Sequence, residues 1–181
     1  MKKLGIFLAN GFEDMEAIVP YDQCKRAGID VEFISINDDK QVTSSHNLVV
    51  LAHNTINMIN FEEYDGIILP GGSKGVDNLK ENIKLMTMLL EFNINNKLIG
   101  AICAAPTILL QLNIISDQKY TCYETMKKEN SNYSRKPVVV SDNIITSTNC
   151  GTSSYFGIAI IEYLLGKEKS LEIKKETMYK K

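Results

Sequence analysis

The sequence predicts an α/β fold, a mostly parallel sheet with helices on both faces. Three observations predict it. Short, uniformly apolar runs recur along the chain, as in strands buried on both sides. Segments with helical spacing alternate with them. Glycine and proline close the strand-like runs abruptly, as at Pro70-Gly71-Gly72.

In chain order, Leu4–Ala9 reads as a buried strand. Asp14–Ala27 follows as a helix, because Ala17, Ile18, Tyr21, Cys24 and Ala27 fall on one face and Gly28 ends it. Val31–Ile36 is a second strand, and Val42–Leu51 a small hairpin or crossing segment. Gly66–Leu69 is a third core strand. The stretch Asn78–Asn93 contains a helix, with Leu85, Met88, Leu89 and Phe92 at i, i+3, i+4 and i+7. Leu98–Ile102 is a strand and Ala104–Leu112 a helix. Two further strands are expected near Lys119–Cys122 and Pro137–Thr146, then a helix over Thr152–Leu165 and a charged last helix from Lys167.

The chain has 181 residues and shows no repeat, low-complexity stretch or linker, so it reads as one domain over 1–181. A chain of this size buries roughly 70% of its unfolded surface without metals or disulfides. Its net charge of −2, from 20 basic and 22 acidic residues, gives no long-range attraction to nucleic acid or an anionic membrane. No run approaches the ~20 apolar residues that span a bilayer, and the short apolar start is unlike an export signal. Cys24, Cys103, Cys122 and Cys150 show neither a C-x-x-C pair nor zinc spacing, so no metal site and no disulfide framework is expected. These features predict a cytoplasmic protein with small-molecule or protein partners.

In open parallel sheets, ligands bind beyond the carboxyl ends of the strands. Asn10–Glu16, Pro70–Gly75 and Ala101–Pro106 all lie at such ends. In Gly100-Ala101-Ile102-Cys103-Ala104-Ala105-Pro106 a strand stops and small residues crowd the turn into a helix. That matches a nucleophile elbow, where the helix N-terminus would lower the pKa of the thiol. On position alone, Cys103 reads equally as a small buried apolar residue. The Gly71-Gly72 pair reads as a tight turn, or as a backbone approach that contributes amides to an oxyanion hole. The helix dipole alone explains Glu13 and Asp14.

Taken together, G-F-E-D-M-E (11–16), R-A-G-I (26–29), L-P-G-G (69–72), A-I-C-A-A-P-T (101–107) and G-T-S (151–153) resemble the ThiJ/PfpI superfamily, in the branch of the parkinsonism-associated deglycase and its bacterial relatives. The quoted segments run from residue 11 to 153 in the family's order, within a resemblance that spans residues 4 to 165. The resemblance implies a flavodoxin-like three-layer sandwich, of class I glutamine amidotransferase-like type. It makes Cys103 the reactive cysteine, Glu16 the acid that hydrogen-bonds it, and Gly72 and Ala104 the backbone donors, with Gly71 beside them in the pocket. It also implies a homodimer, with Arg26 and the His46 region facing the partner. A thiolate beside Glu16 requires a protonated carboxyl, so the expectation is a raised pKa for Glu16, a lowered one for Cys103 and coupled titration.

The chain also departs from that branch. Tyr123 stands where relatives place a histidine, and Ala104 where the protease-like branch does, so a peptidase is poorly supported. His46 and His53 read as partly exposed surface residues, although His46 could approach a partner's site. Cys150 replaces a proline at the pocket's border, and reads either as a resolving thiol or as a plain loop cysteine.

The implied activity is a cysteine-dependent, cofactor-free glyoxalase or deglycase acting on methylglyoxal-like dicarbonyls or early glycation adducts. The alternative is a redox-sensing, stress-protective protein whose Cys103 oxidises to a sulfinic acid.

Overall fold

Uniformly apolar runs can bury both faces of a strand, and here they form the middle of a sheet. The structure is a computed structural model and describes residues 1–128 and 132–178. Its elements are β1 (Lys3–Leu8), α1 (Asp14–Arg26), β2 (Asp30–Ser35), β3 (Gln41–Thr43), β4 (Val49–Leu51), β5 (Asn54–Thr55), β6 (Gly66–Leu69), α2 (Ser73–Glu81), α3 (Ile83–Ile94), β7 (Leu98–Ile102), α4 (Pro106–Gln111), β8 (Val138–Ser141), β9 (Ile144–Ser147), α5 (Ser153–Leu165) and α6 (Lys167–Thr177).

Seven strands form one sheet in the order β5-β2-β1-β6-β7-β9-β8. All its neighbours pair in parallel except β8, which runs antiparallel to β9 at one edge. The parallel strands β2-β1-β6-β7-β9 follow the 2-1-3-4-5 order of flavodoxin-like sheets, whose switch point lies between β1 and β6. Residues of β6 and β7 are buried throughout.

Side-chain alternation divides the core in two. Phe7, Ile67, Leu69 and Ile99 face Val76 and Leu79 of α2, Leu85, Met88, Leu89 and Phe92 of α3, and Ile108 and Leu109 of α4. Leu4, Ile6, Leu8, Ile68 and Ile102 face Ala17 and Cys24 of α1, Phe156, Ile160 and Ile161 of α5, and Ile173 of α6. Burying each such side chain contributes about 1.5–3 kcal/mol. The two layers hold the carboxyl ends of β1, β6 and β7 side by side.

The helix expected within Asn78–Asn93 is α3, which carries Leu85, Met88, Leu89 and Phe92; Asn82 leaves helical geometry and its side chain accepts the Leu85 N–H as the cap of α3, so residues before it belong to α2. Three local expectations are corrected. No strand forms at Lys119–Cys122; Tyr120 makes only an isolated bridge to Tyr133. Pro137–Thr146 is an antiparallel pair rather than one strand, turned at Asp142, whose φ of 53° is left-handed. The helix expected from Ala104 begins at Pro106, where a missing N–H costs nothing. The Val42–Leu51 hairpin is present as β3 and β4. The two-residue β5 carried no sequence signal. Among the described residues, no helix is long and apolar enough to cross a membrane.

Candidate active site

Cys103 directly follows β7 with φ of 64°, a left-handed conformation that costs an L-residue about 1–2 kcal/mol. Neighbouring elements hold it there. Its N–H donates to Ser147 O of β9 at 3.0 Å, and its carbonyl accepts the Tyr123 N–H at 2.8 Å. Both backbone groups of the elbow are therefore fixed, and the half-buried thiol is left to face the ends of β1 and β6.

Glu16 reaches the same place from the first turn of α1. Glu13 caps that helix, its side chain accepting the Glu16 N–H at 2.9 Å. The Glu13 N–H donates to Gly71 O at 3.1 Å, and the Gly71 N–H donates to Glu16 Oε2 at 2.7 Å. This exchange pins the turn after β6 to the start of α1. Glu16 is fully buried, and its Oε1 has no hydrogen-bond partner of ordinary geometry among the described residues.

Gly71 separates Glu16 from Cys103 and has no room for a side chain. A Cβ there would lie 2.5 Å from Glu16 Oε2 and 2.7 Å from Cys103 Cβ. At Gly72 the need for glycine is conformational as well as steric: φ is 87°, and a Cβ would meet Gly11 O at 2.3 Å. The backbone amides of Ala104 and Gly72 both act on the Cys103 sulfur and favour its anion.

Burial pushes the Glu16 carboxyl up to about 7. The Gly71 amide opposes that rise, the Glu13 charge adds to it and the Cys103 contact opposes it. The expected lowering for Cys103 is corrected. Burial first, then the charge and hydrogen bonding of Glu16, push the thiol up to about 12, and the two amides only partly offset them. The helix-end effect is weak because α4 is short and starts three residues beyond the sulfur. The two groups thus share protons: the pair's first proton leaves near 7, and the second is held far above neutrality.

The DJ-1/PfpI family model matches residues 2–163. The chain belongs to that family. It is 36% identical to Protein dj-1beta of Drosophila melanogaster over 174 residues, which cover 94% of this chain and 93% of that one. It is 32% identical to the Parkinson disease protein 7 homolog of Danio rerio over 179 residues, or 96% and 95% of the two chains. Among solved structures, oxidized Toxoplasma gondii DJ-1 superposes with a TM-score of 0.94 at 29% identity, covering 100% of both chains. The DJ-1 likeness and the sheet order agree on a flavodoxin-like α/β architecture.

Within this DJ-1-type frame, Glu16, Gly71, Gly72, Cys103 and Ala104 come together. Tyr123 is linked to them through its backbone bond to Cys103, and its side chain is 45% exposed. Cys150 is a free, half-buried cysteine in the turn before α5, three residues past Ser147. His46 meets α1 rather than the thiol. Its Nδ1 lies 2.5 Å from Asp14 Oδ2, and this contact raises the imidazole pKa. Glu13, Asp14 and His46 place ligand atoms within 4.8 Å of one another, but Glu13 is occupied as a cap and Asp14 by Ser44 and His46. His53 Nδ1 accepts the Phe33 N–H. Sequence reasoning missed the two bonds that hold the elbow, Ser147 O and Tyr123 N–H. Both are made by main chain, so no residue type announced them.

Proposed function

We propose that this chain is a cofactor-free, cysteine-dependent glyoxalase or deglycase acting on small α-dicarbonyls such as methylglyoxal, or on their early adducts. One observation carries the reading: a buried carboxyl with a free oxygen, and a pKa moved to about 7, faces a thiol at the carboxyl end of the sheet. Glu16 takes the thiol proton as Cys103 Sγ adds to the aldehyde carbon. The carbonyl π bond opens, and the alkoxide is stabilised by the Gly72 and Ala104 amides before it takes a proton. Glu16 then moves the proton of that carbon to its neighbour through an enediol. The first carbon is oxidised to a thioester and the second reduced to an alcohol, so no external oxidant is needed. Water cleaves the thioester to lactate and the free thiol. With no imidazole in contact with the pair, turnover is expected to be slow.

The test is lactate formation from methylglyoxal without glutathione by wild type, Cys103→Ala and Glu16→Gln. Turnover that both substitutions abolish supports the reading. Pure, reduced wild type that makes no lactate contradicts it.

A second reading has its own support. The same amides and carboxyl would stabilise a sulfinate on Cys103, and the Toxoplasma relative is described as oxidized. Two equivalents of peroxide would each give one oxygen to the Cys103 sulfur and leave as water, adding about 32 Da; loss of that adduct in Glu16→Gln would favour this reading.

The same proposal includes a homodimer and a cytoplasmic setting. Met15 and Ile18 of α1, the helix that ends at Arg26, and Leu48, Val49 and Leu51, which follow His46 in sequence, are exposed and apolar. All four cysteines are free thiols, as expected in a reducing compartment. Light scattering of the purified protein tests the dimer.

A further inference from the structure

Tyr123 combines three properties. It is anchored to the nucleophile itself, its N–H donating to Cys103 O at 2.8 Å. Its carbonyl is also held, accepting the Met126 N–H at 2.8 Å and the Cys122 thiol at 3.4 Å. The following turn is braced, since Glu124 binds Lys127 Nζ and the Tyr133 hydroxyl at 2.7 Å each. The backbone position is therefore fixed, and the side chain alone is free to rotate.

That side chain is unengaged. Thr121 and Cys122 before it are fully buried, whereas Tyr123 is exposed over a little less than half of its surface. Its ring makes no aromatic or cation contact, and its hydroxyl has no hydrogen-bond partner among the described residues. The Nδ1 of each histidine is engaged elsewhere, that of His46 at Asp14 and that of His53 at the Phe33 N–H.

We propose that Tyr123 is a specificity-determining residue that selects vicinal dicarbonyls over simple aldehydes, its phenol O–H donating to the second carbonyl oxygen while Cys103 adds to the first carbonyl carbon. This rests on the dicarbonyl reading above. Thiol addition forms the Sγ–C bond, opens the C=O π bond and sends the thiol proton by way of Glu16 to the new alkoxide. The second carbonyl is unchanged by that step and remains a hydrogen-bond acceptor. An aldehyde without it gains nothing from Tyr123.

The test reads hemithioacetal formation without turnover. Cys103 alkylation by iodoacetamide is followed in wild type and Tyr123→Phe, with methylglyoxal or propanal as the reversible protector. Loss of one neutral hydrogen bond raises the half-protecting methylglyoxal concentration about five- to tenfold in Tyr123→Phe. The propanal value and the unprotected alkylation rate stay as in wild type. Equal methylglyoxal protection in the two proteins overturns the proposal, as does equal weakening with both aldehydes, which would assign Tyr123 to the shape of the elbow. If wild type makes no lactate yet the difference in protection is found, the glyoxalase reading falls and this one stands. If lactate forms and Tyr123→Phe protects as wild type does, this one falls alone.

Discussion

The Gly71 amide donates to Glu16 Oε2 at 2.7 Å, and a methyl group on Gly71 would stand 2.5 Å from that same oxygen. One glycine thus orients the carboxyl and keeps open the space between it and Cys103.

Gly71→Ala is expected to displace one side of the pair. Overpacking of this kind costs about 1–3 kcal/mol. Far-UV circular dichroism should be retained, the melting temperature should fall, and the rate of Cys103 alkylation at pH 7 should change by about tenfold or more. A variant with unchanged melting and unchanged alkylation would show that the gap is not needed.

Stability should also report on Glu16. Its pKa is raised from 4.5 to about 7, so the folded chain holds that proton more tightly than the unfolded chain. The stabilisation is complete below about 4.5 and lost as pH rises through about 7. It amounts to roughly 3 kcal/mol at most. Glu16→Gln lacks this dependence, so its stability relative to wild type should improve between pH 5 and pH 8. Urea unfolding at the two pH values measures the difference, and a constant gap would contradict the assignment.

The elbow has its own signature in stability. Cys103 holds φ at 64°, where glycine is at ease and other residues are strained. Cys103→Gly should therefore be more stable than Cys103→Ala by about 1 kcal/mol, the reverse of the usual cost of glycine. Chemical denaturation of the two variants checks the order.

Much of this site was legible because its parts carry strong local signals. Buried strands end shortly before Gly11, Gly71 and Cys103, and the physics of open sheets places such ends together. Resemblance pointed to Glu16, Gly72 and Ala104, which the fold brings beside Cys103. What the pattern missed depends on tertiary context. The 119–122 segment has strand-like residues, yet its only pairing of that kind is the bridge from Tyr120 to Tyr133. The Asp142 turn lacks glycine and hid a hairpin inside one apolar run. The thiol's pKa is raised where a helix-end argument predicts lowering, because burial and the Glu16 carboxylate outweigh the backbone donors.

The pH dependence of Cys103 alkylation in wild type and Glu16→Gln tests most directly whether the two groups act as one unit. Glu16 contributes charge and hydrogen bonding that raise the thiol, so replacing it with the neutral amide should move the alkylation midpoint down by about one unit or more. A midpoint that stays in place, or moves up, would contradict a coupled Glu16–Cys103 centre.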